Sequence, residues 1–167
     1  RIQDTSATLV YRGALGWLFS EIWPRIRAAR PDARLQVVGA HAPPEILAAD
    51  GRDGIEVVGT VPDTAAYYRD ARVLLAPVRA GSGTRLKILE AFASGVPVVT
   101  TRLGAEGIAA QDGEHLLTAE SAPELAAATC RVLADDFLAR RLGESARALA
   151  ERRYDWRRSA EELMSSW

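Results

Sequence analysis

The chain of 167 residues is long enough for one domain with a substantial core, and its hydrophobic share of 48% is ordinary for a globular protein. Its 21 basic and 22 acidic residues leave a formal net charge of -1, which gives no overall attraction to nucleic acid or to anionic membranes. A single cysteine, Cys130, excludes a disulfide framework and a thiolate metal cluster.

Short apolar runs alternate with helical segments through most of the chain. The predicted strands are Thr8–Tyr11, Leu35–Val38, Ile55–Val58, Val73–Ala76, Val96–Thr100 and His115–Leu117. The predicted helices are Leu15–Ala29, Pro43–Ala49, Thr64–Asp70, Thr84–Ser94, Pro123–Ala134, Phe137–Arg152 and Trp156–Met164. Continuous apolar strands are typical of a parallel sheet buried on both faces. We therefore predict an α/β fold: a doubly wound, Rossmann-like parallel sheet of about six strands with helices on both faces, followed by C-terminal helices.

Ligands of open parallel sheets bind beyond the carboxyl ends of the strands. The segments that follow the predicted strands are glycine-rich and polar, as a ligand crevice requires. They are Arg12–Ala14, Gly39–Ala42, Gly59–Pro62, Pro77–Thr84 and Thr101–Gly107.

The loop Gly81-Ser82-Gly83-Thr84 directly precedes a predicted helix. Glycines let a backbone approach a ligand closely, and the start of a helix offers unpaired N–H groups with a partial positive charge. Such a loop is suited to holding phosphate, and Arg85 and Lys87 add formal charge. An ordinary loop in which Thr84 caps the helix is an equal alternative at this point.

Lys87 and Glu90 are three residues apart and lie on one face of this helix. Glu90 stands seven residues past Gly83, about 10 Å along the helix axis, so a diphosphate at the helix start leaves a ribose within its reach. A carboxylate can accept hydrogen bonds from both hydroxyls of a cis-diol. The alternative is a solvated carboxylate that only pairs with Lys87. Leu86, Leu89 and Ala93 are predicted to form the packing face, with Ile88 and Phe92 beside it.

Other phosphate, metal and nucleophile motifs are missing from the sequence. The loop at 81–84 lacks the third glycine of a dinucleotide fingerprint, and no Walker A loop, His-Glu-x-x-His or Gly-x-Ser-x-Gly motif occurs. The two histidines, His41 and His115, are far apart, so we expect no metal site.

Several segments, taken in order, resemble the C-terminal, donor-binding half of GT-B glycosyltransferases of the group 1 or family 4 type. The most specific is Pro77–Thr100, with Gly81-Ser-Gly-Thr-Arg-Leu-Lys-Ile-Leu-Glu90-Ala-Phe-Ala-Ser-Gly95-Val-Pro-Val-Val. The others are Pro24–Gly39, Val57–Asp63, Gly104–Gly107, Asp112–Leu117 and Tyr154–Trp156, so the resemblance covers nearly the whole chain.

The resemblance implies transfer of a sugar from a nucleotide-diphospho-sugar, usually with retention and without a required metal or other cofactor. It assigns the diphosphate to the loop Gly81–Thr84, through the backbone of Gly83 and Thr84, together with Arg85 and Lys87. It assigns the ribose to Glu90. It also places Gly39, Thr60 and Val61 at the base and Gly13 near the phosphates. Ser82 stands where the family often has an acid that touches the donor sugar.

The resemblance also implies that the chain is one domain, residues 1–167, of a larger protein. The chain begins at Arg1, and the N-terminal acceptor-binding half of the family is absent from it. We expect the isolated chain to bind nucleotide sugar weakly and to transfer nothing. A cytoplasmic location is the default expectation, with membrane association only through the missing half.

Two other functions remain open on sequence grounds. A nucleotide-sugar epimerase would use the same half-fold but needs further acids, bases and histidines in the cleft. A non-catalytic nucleotide-binding module is favoured by Ser82 alone, whereas the joint presence of Gly83, Arg85, Lys87 and Glu90 favours the transferase.

Overall fold

One parallel sheet organises the chain. The computed structural model describes residues 6–9, 15–40, 42–80 and 85–153. The strands are β1 Ser6–Leu9, β2 Arg34–Val38, β3 Ile55–Gly59, β4 Val73–Ala76, β5 Val98–Thr100 and β6 Leu117–Thr118. Their order across the sheet is β3-β2-β1-β4-β5-β6, and all neighbouring pairs are parallel. The predicted α/β fold with a parallel sheet is confirmed.

Helical segments connect these strands and follow the last one. They are α1 Leu15–Trp17, a π-helical turn Leu18–Ile22, α2 Trp23–Ala29, α3 Pro44–Leu47, α4 Ala65–Asp70, α5 Arg85–Ala93, α6 Arg102–Ala105, α7 Ala122–Ala134 and α8 Asp136–Arg153. The short α6 is not among the predicted helices. The predicted helix Trp156–Met164 lies outside the described residues. None of the described helices is long and apolar enough to cross a membrane.

The strand order reverses between β1 and β4. β1 pairs with β2 on one side and with β4 on the other, so Ala7 stands between Leu35 and Val73. Connections after β1 and β2 lead outward in one direction, and the connection after β3 leads back to β4 on the other side. A crevice forms at such a reversal, beyond the carboxyl ends of the two central strands.

Both faces of the sheet are buried at β4 and β5, where neighbouring residues of each strand point into opposite cores. Leu75 of β4 belongs to one core and Leu74 to the other, and Val99 and Val98 of β5 divide in the same way. The first core takes most of its helical side chains from the π-helical turn, α2, α7 and α8, and the second core takes its own from α4, α5 and α8. This division explains why β4 is a continuous apolar run, whereas the edge strand β3 carries the exposed Glu56.

The first predicted helix, Leu15–Ala29, contains a π-helical turn. Pro24 has no N–H, and its ring collides with the carbonyl four residues earlier, that of Ser20, in a regular α-helix. The backbone N–H of Trp23 instead donates to the carbonyl of Leu18, five residues back. The widened turn thus lets the helix continue past the proline.

The packing face predicted for α5 is wrong at Leu86 and Ala93, whereas Leu89 packs half-buried against the second core. Leu86 is 47% exposed and Ala93 is exposed, whereas Ile88, Ala91 and Phe92 are fully buried in the second core. The apolar residues of α5 form two stripes, and the sheet covers the one that starts at Ile88. Lys87 and Glu90 lie together beside this buried stripe.

The last two helices close the sheet from both sides. Ser121 caps α7 by accepting from the N–H of Glu124, and the Glu124 carboxylate accepts in return from the N–H of Ser121, as a capping box. α8 contributes Leu142 to the first core and Leu149 to the second. A Cβ on Gly143 would lie 2.2 Å from the carbonyl oxygen of Gly95, so only glycine lets α8 approach the end of α5 this closely.

Candidate functional site

The carboxyl ends of β2 and β3 are joined where the family resemblance implies contacts to a base. The N–H of Gly39 donates to the carbonyl of Gly59 at 2.8 Å, which brings the loops after both strands together. Gly39 has a φ of +149°, and no atom lies within 4 Å of the position of its absent Cβ. Thr60 is exposed and Val61 is half-buried. These residues therefore form an open edge beside the crevice.

Two buried threonines fix the start of the loop that leaves β4. The Thr100 hydroxyl donates to the carbonyl of Ala76 at 2.8 Å, and the Thr101 hydroxyl donates to that of Val78 at 2.6 Å. Thr101 also caps α6 by accepting from the N–H of Gly104 at 3.1 Å. These hydrogen bonds fix the backbone from Ala76 to Val78, from which the chain continues toward α5.

Gly104, in α6, is expected to tolerate no side chain, because it packs directly against Thr100 and Val78. A Cβ there would lie 2.1 Å from Oγ1 of Thr100 and 3.2 Å from Cγ2 of Val78. Gly104→Ala should therefore lower the free energy of unfolding by about 2 kcal/mol, measured by urea denaturation. Gly16→Ala is the matched control: no atom lies within 4 Å of its Cβ position, and alanine favours a helix, so it should leave stability equal or higher. Equal stability of the Gly104 variant and the wild type would contradict this prediction.

On α5, the structure brings Lys87 and Glu90 together as predicted. Lys87 Nζ lies 3.8 Å from Glu90 Oε2, and each side chain is 30% exposed. The hydroxyl of Tyr68, on α4, lies 3.0 Å from the same carboxylate oxygen and 3.3 Å from the carbonyl of Lys87. The carboxylate is thus a half-buried group held by partners from two helices, which differs from the solvated pair of the alternative interpretation.

Burial raises the pKa of Tyr68 above its ordinary value of 10.0, and the charge of Glu90 and its hydrogen bond raise it further. Above pH 10 the unfolded chain loses this proton while the folded chain keeps it, so folding becomes less favourable as the pH rises. Between about pH 10 and about pH 11, the unfolding free energy of the wild type should therefore fall more steeply with pH than that of Tyr68→Phe. The difference in slope should reach up to about 1.4 kcal/mol per pH unit. Parallel stability curves of the two proteins, from urea unfolding at each pH, would contradict this expectation.

An aromatic contact spans the point where the strand order reverses. The guanidinium of Arg79, in the loop after β4, lies 4.7 Å from the ring centroid of Trp17, in the helix after β1. Arg79 is exposed and Trp17 is half-buried. The contact links the two sides of the crevice and adds a positive charge there.

Several predicted site residues lie outside the described part of the chain. They are Gly13, Gly81, Ser82, Gly83 and Thr84, and the side chain of Arg85. Their assignments therefore stay predictions, and Arg85 is described only as the residue at which α5 begins. Conversely, sequence reasoning missed Tyr68, Thr100 and Thr101, of which only the threonine pair at the end of β5 offered a local signal.

A separate cleft of about 410 Å³ opens beside β6. It is lined by Arg102, Asp112, Thr118, Ala119, Glu120, Glu124, Ala127, Ala128 and Arg131, and it contains none of the predicted site residues. Its charged groups are engaged in part, since Glu120 accepts from the N–H of Arg102 and Asp112 from that of Thr118. Among the described residues, no cluster of three histidine, cysteine or acidic side chains is arranged to hold a metal ion.

Comparison with known proteins identifies a family from the sequence and a fold from the structure. Residues 6–135 match the model of a family described as glycosyl transferases group 1. The phosphatidyl-myo-inositol mannosyltransferase of Mycobacterium leprae is 34% identical over 147 residues, which are 84% of this chain and 39% of that protein. The chain thus spans about two fifths of the length of this relative.

The fold matches solved glycosyltransferase structures at low sequence identity. A variant of TarM from S. aureus, in complex with fondaparinux, alpha-GlcNAc-glycerol and UDP, aligns with a TM-score of 0.79 at 16% identity, over 98% of this chain and 36% of that one. The C-terminal domain of a group 1 glycosyltransferase, LpcC from Francisella tularensis, aligns with a TM-score of 0.71 at 21% identity. That match covers 92% of this chain and 88% of the other.

Proposed function

The chain belongs to the glycosyl transferases group 1 family, and from this premise we propose that it is the donor-binding domain of a glycosyltransferase. The domain holds a nucleotide-diphospho-sugar, and the full-length protein transfers the sugar to an acceptor with retention and without a metal ion. The observation that carries this proposal is the Lys87–Glu90 pair on α5, the helix that follows the central strand β4.

The chemistry of the pair fits the two halves of a nucleoside diphosphate. Lys87 lies in the first turn of α5, so its charge adds to the partial positive charge of the helix start. Both would stabilise the negative charge that builds up on the diphosphate as the sugar leaves. Glu90 lies one turn further along the helix, and its carboxylate would accept hydrogen bonds from the ribose hydroxyls.

The remaining contacts follow from the positions of the loops. Gly39 and the Thr60–Val61 segment lie at the ends of neighbouring strands, and a base would bind over this open edge. Gly13, the loop Gly81–Thr84 and Arg85 would complete the phosphate site, with Ser82 nearest to the sugar. The relatives named as mannosyltransferases make mannose the first donor sugar to test.

The acceptor site belongs, in this proposal, to a part of the protein outside this chain. The chain covers only 36% to 40% of the length of its curated relatives. It also matches, nearly end to end, a C-terminal domain that was crystallised alone. We therefore expect this chain to fold and to bind nucleotide without turnover.

Titration calorimetry of the chain with UDP, GDP and ADP tests the binding proposal. Binding of one of these diphosphates, and much weaker binding of its nucleoside, is the expected result. The transfer proposal needs the full-length protein, assayed with the matching nucleotide-diphospho-mannose in the presence of a chelator, with the anomeric configuration of the product determined by NMR. Turnover by the 167-residue chain alone would contradict the proposal that the acceptor site lies outside this chain.

A non-catalytic nucleotide-binding module is the second candidate, and Ser82 favours it. The two candidates differ in one measurement. A full-length protein that binds the nucleotide but transfers no sugar to any acceptor tested would support the module. Family membership and the intact Lys87–Glu90 pair favour the transferase.

A further inference from the structure

Tyr68 is a buried residue to which the proposed function gives no role. Its side chain belongs to the second core and is 2% exposed, yet its hydroxyl reaches the edge of that core. The hydroxyl has one proton and two oxygens within reach, Glu90 Oε2 at 3.0 Å and the carbonyl of Lys87 at 3.3 Å. The carboxylate is both nearer and charged, so it receives the hydrogen bond.

The two carboxylate oxygens of Glu90 differ in their contacts. Tyr68 and Lys87 both face Oε2, from α4 and from the preceding turn of α5. Within the described residues, neither a hydrogen bond nor an ion pair is found at Oε1. One oxygen is thus fixed by the protein, and the other is available to a ligand on the 30% exposed side chain.

We propose that Tyr68 is a positioning residue that holds Glu90 in the orientation in which it accepts the ribose hydroxyls of the donor nucleotide. The inference rests on the proposed function, because it assigns Tyr68 a task in that same site. Tyr68 also lies on the helix that follows the Thr60–Val61 segment, so it connects the proposed base and ribose contacts.

The physical reason is the rotational freedom of the Glu90 side chain. A glutamate side chain has three rotatable bonds. Without the Tyr68 hydroxyl, only the ion pair with Lys87 restricts the orientation of the carboxylate. The tyrosine hydroxyl fixes the rotamer before the ligand arrives, which removes an ordering cost from binding. Burial and the charge of Glu90 keep this hydroxyl protonated over the physiological range, so it remains a donor.

The test compares two ligands and four proteins by calorimetry. The ligands are the nucleoside diphosphate that the wild type binds, among UDP, GDP and ADP, and its 2′,3′-dideoxy form. The proteins are the wild type, Tyr68→Phe, Glu90→Gln and the double variant. Tyr67→Phe, on the same helix, is the control for loss of a tyrosine hydroxyl, and thermal unfolding of each variant shows that it is folded.

We expect Tyr68→Phe to weaken the ribose ligand about three- to tenfold and to leave the dideoxy ligand unchanged within twofold. In the double variant, the Tyr68 change should add no further loss to that of Glu90→Gln, because Tyr68 acts through Glu90. The Tyr67 variant should match the wild type with both ligands.

Three results would overturn the inference while the proposed function stands. In the first, Tyr68→Phe binds the ribose ligand as tightly as the wild type does. In the second, it loses affinity for both ligands equally. In the third, the Tyr68 change weakens ribose-ligand binding as much in the Glu90→Gln background as in the wild type. The second result would mean that the hydroxyl serves the fold. Failure of the proposed function is a different outcome, in which the folded wild type binds none of the three diphosphates.

Discussion

Lys87→Ala is expected to reduce the kcat/KM of the full-length protein in the proposed sugar transfer by about 10²–10³. The ammonium group would compensate negative charge that grows on the leaving diphosphate, so its loss costs more in the transition state than in the ground state. In this chain, the change should weaken a nucleoside diphosphate much more than the corresponding nucleoside, measured by calorimetry. Equal losses for both ligands would contradict a phosphate role.

The chain offers a matched control for this variant. Arg147 on α8 is also a cation in an ion pair within one helix, with its Nε 3.1 Å from Glu151 Oε1, but it lies outside the candidate site. Arg147→Ala should leave nucleotide binding unchanged. Lys87→Arg should retain part of the diphosphate affinity, because it keeps the charge while changing its position.

Lys87 can also be observed directly, because it is the only lysine among the 21 basic residues. Reductive methylation with a carbon-13 label would modify this side chain and the terminal amine alone. The labelled Lys87 signal should shift on addition of a nucleoside diphosphate, and it should stay in place on addition of the nucleoside.

Glu90→Ala is expected to weaken nucleoside diphosphates about 100-fold, the second-largest effect. Two hydrogen bonds from ribose hydroxyls to a carboxylate would be lost, each of the stronger, charge-assisted kind. The loss should disappear with the 2′,3′-dideoxy ligand, because that ligand lacks both hydroxyls. Calorimetric titration with the two ligands measures the difference.

Glu151→Ala is the control for loss of a carboxylate from a helical ion pair, and it should bind both ligands as the wild type does. Glu90→Gln should lose less than Glu90→Ala, because an amide oxygen still accepts hydrogen bonds. An equal loss of ribose and dideoxy ligands in Glu90→Ala would assign Glu90 to the surroundings of Lys87 rather than to the ribose.

The fold was predictable because its strands have an unambiguous pattern. Runs such as Val73–Ala76 are apolar at every position, and this pattern occurs where both faces of a sheet are covered. The helix α6 escaped prediction because it has only four residues, and its cap is formed by Thr101, a residue that also fits the end of a strand.

The site was only partly predictable. The Lys87–Glu90 contact follows from helical spacing, which is a local property. The buried face of α5 does not, because the stripe with Leu86 and Leu89 and the stripe with Ile88 and Phe92 are both apolar. Tyr68 could not be found at all from the sequence, since its bond to Glu90 joins residues 22 positions apart, on two helices whose packing depends on the whole sheet.

The central claim is that a nucleoside diphosphate binds at the start of α5, and amide chemical shifts test it most directly. Nitrogen-15-labelled chain would be titrated with UDP, GDP and ADP. The account predicts the largest shifts in the first turns of α5, including Lys87 and Glu90, with further shifts at Gly39 and Thr60. Shifts confined to the cleft beside β6, around Arg102 and Arg131, with the α5 amides unchanged, would contradict it.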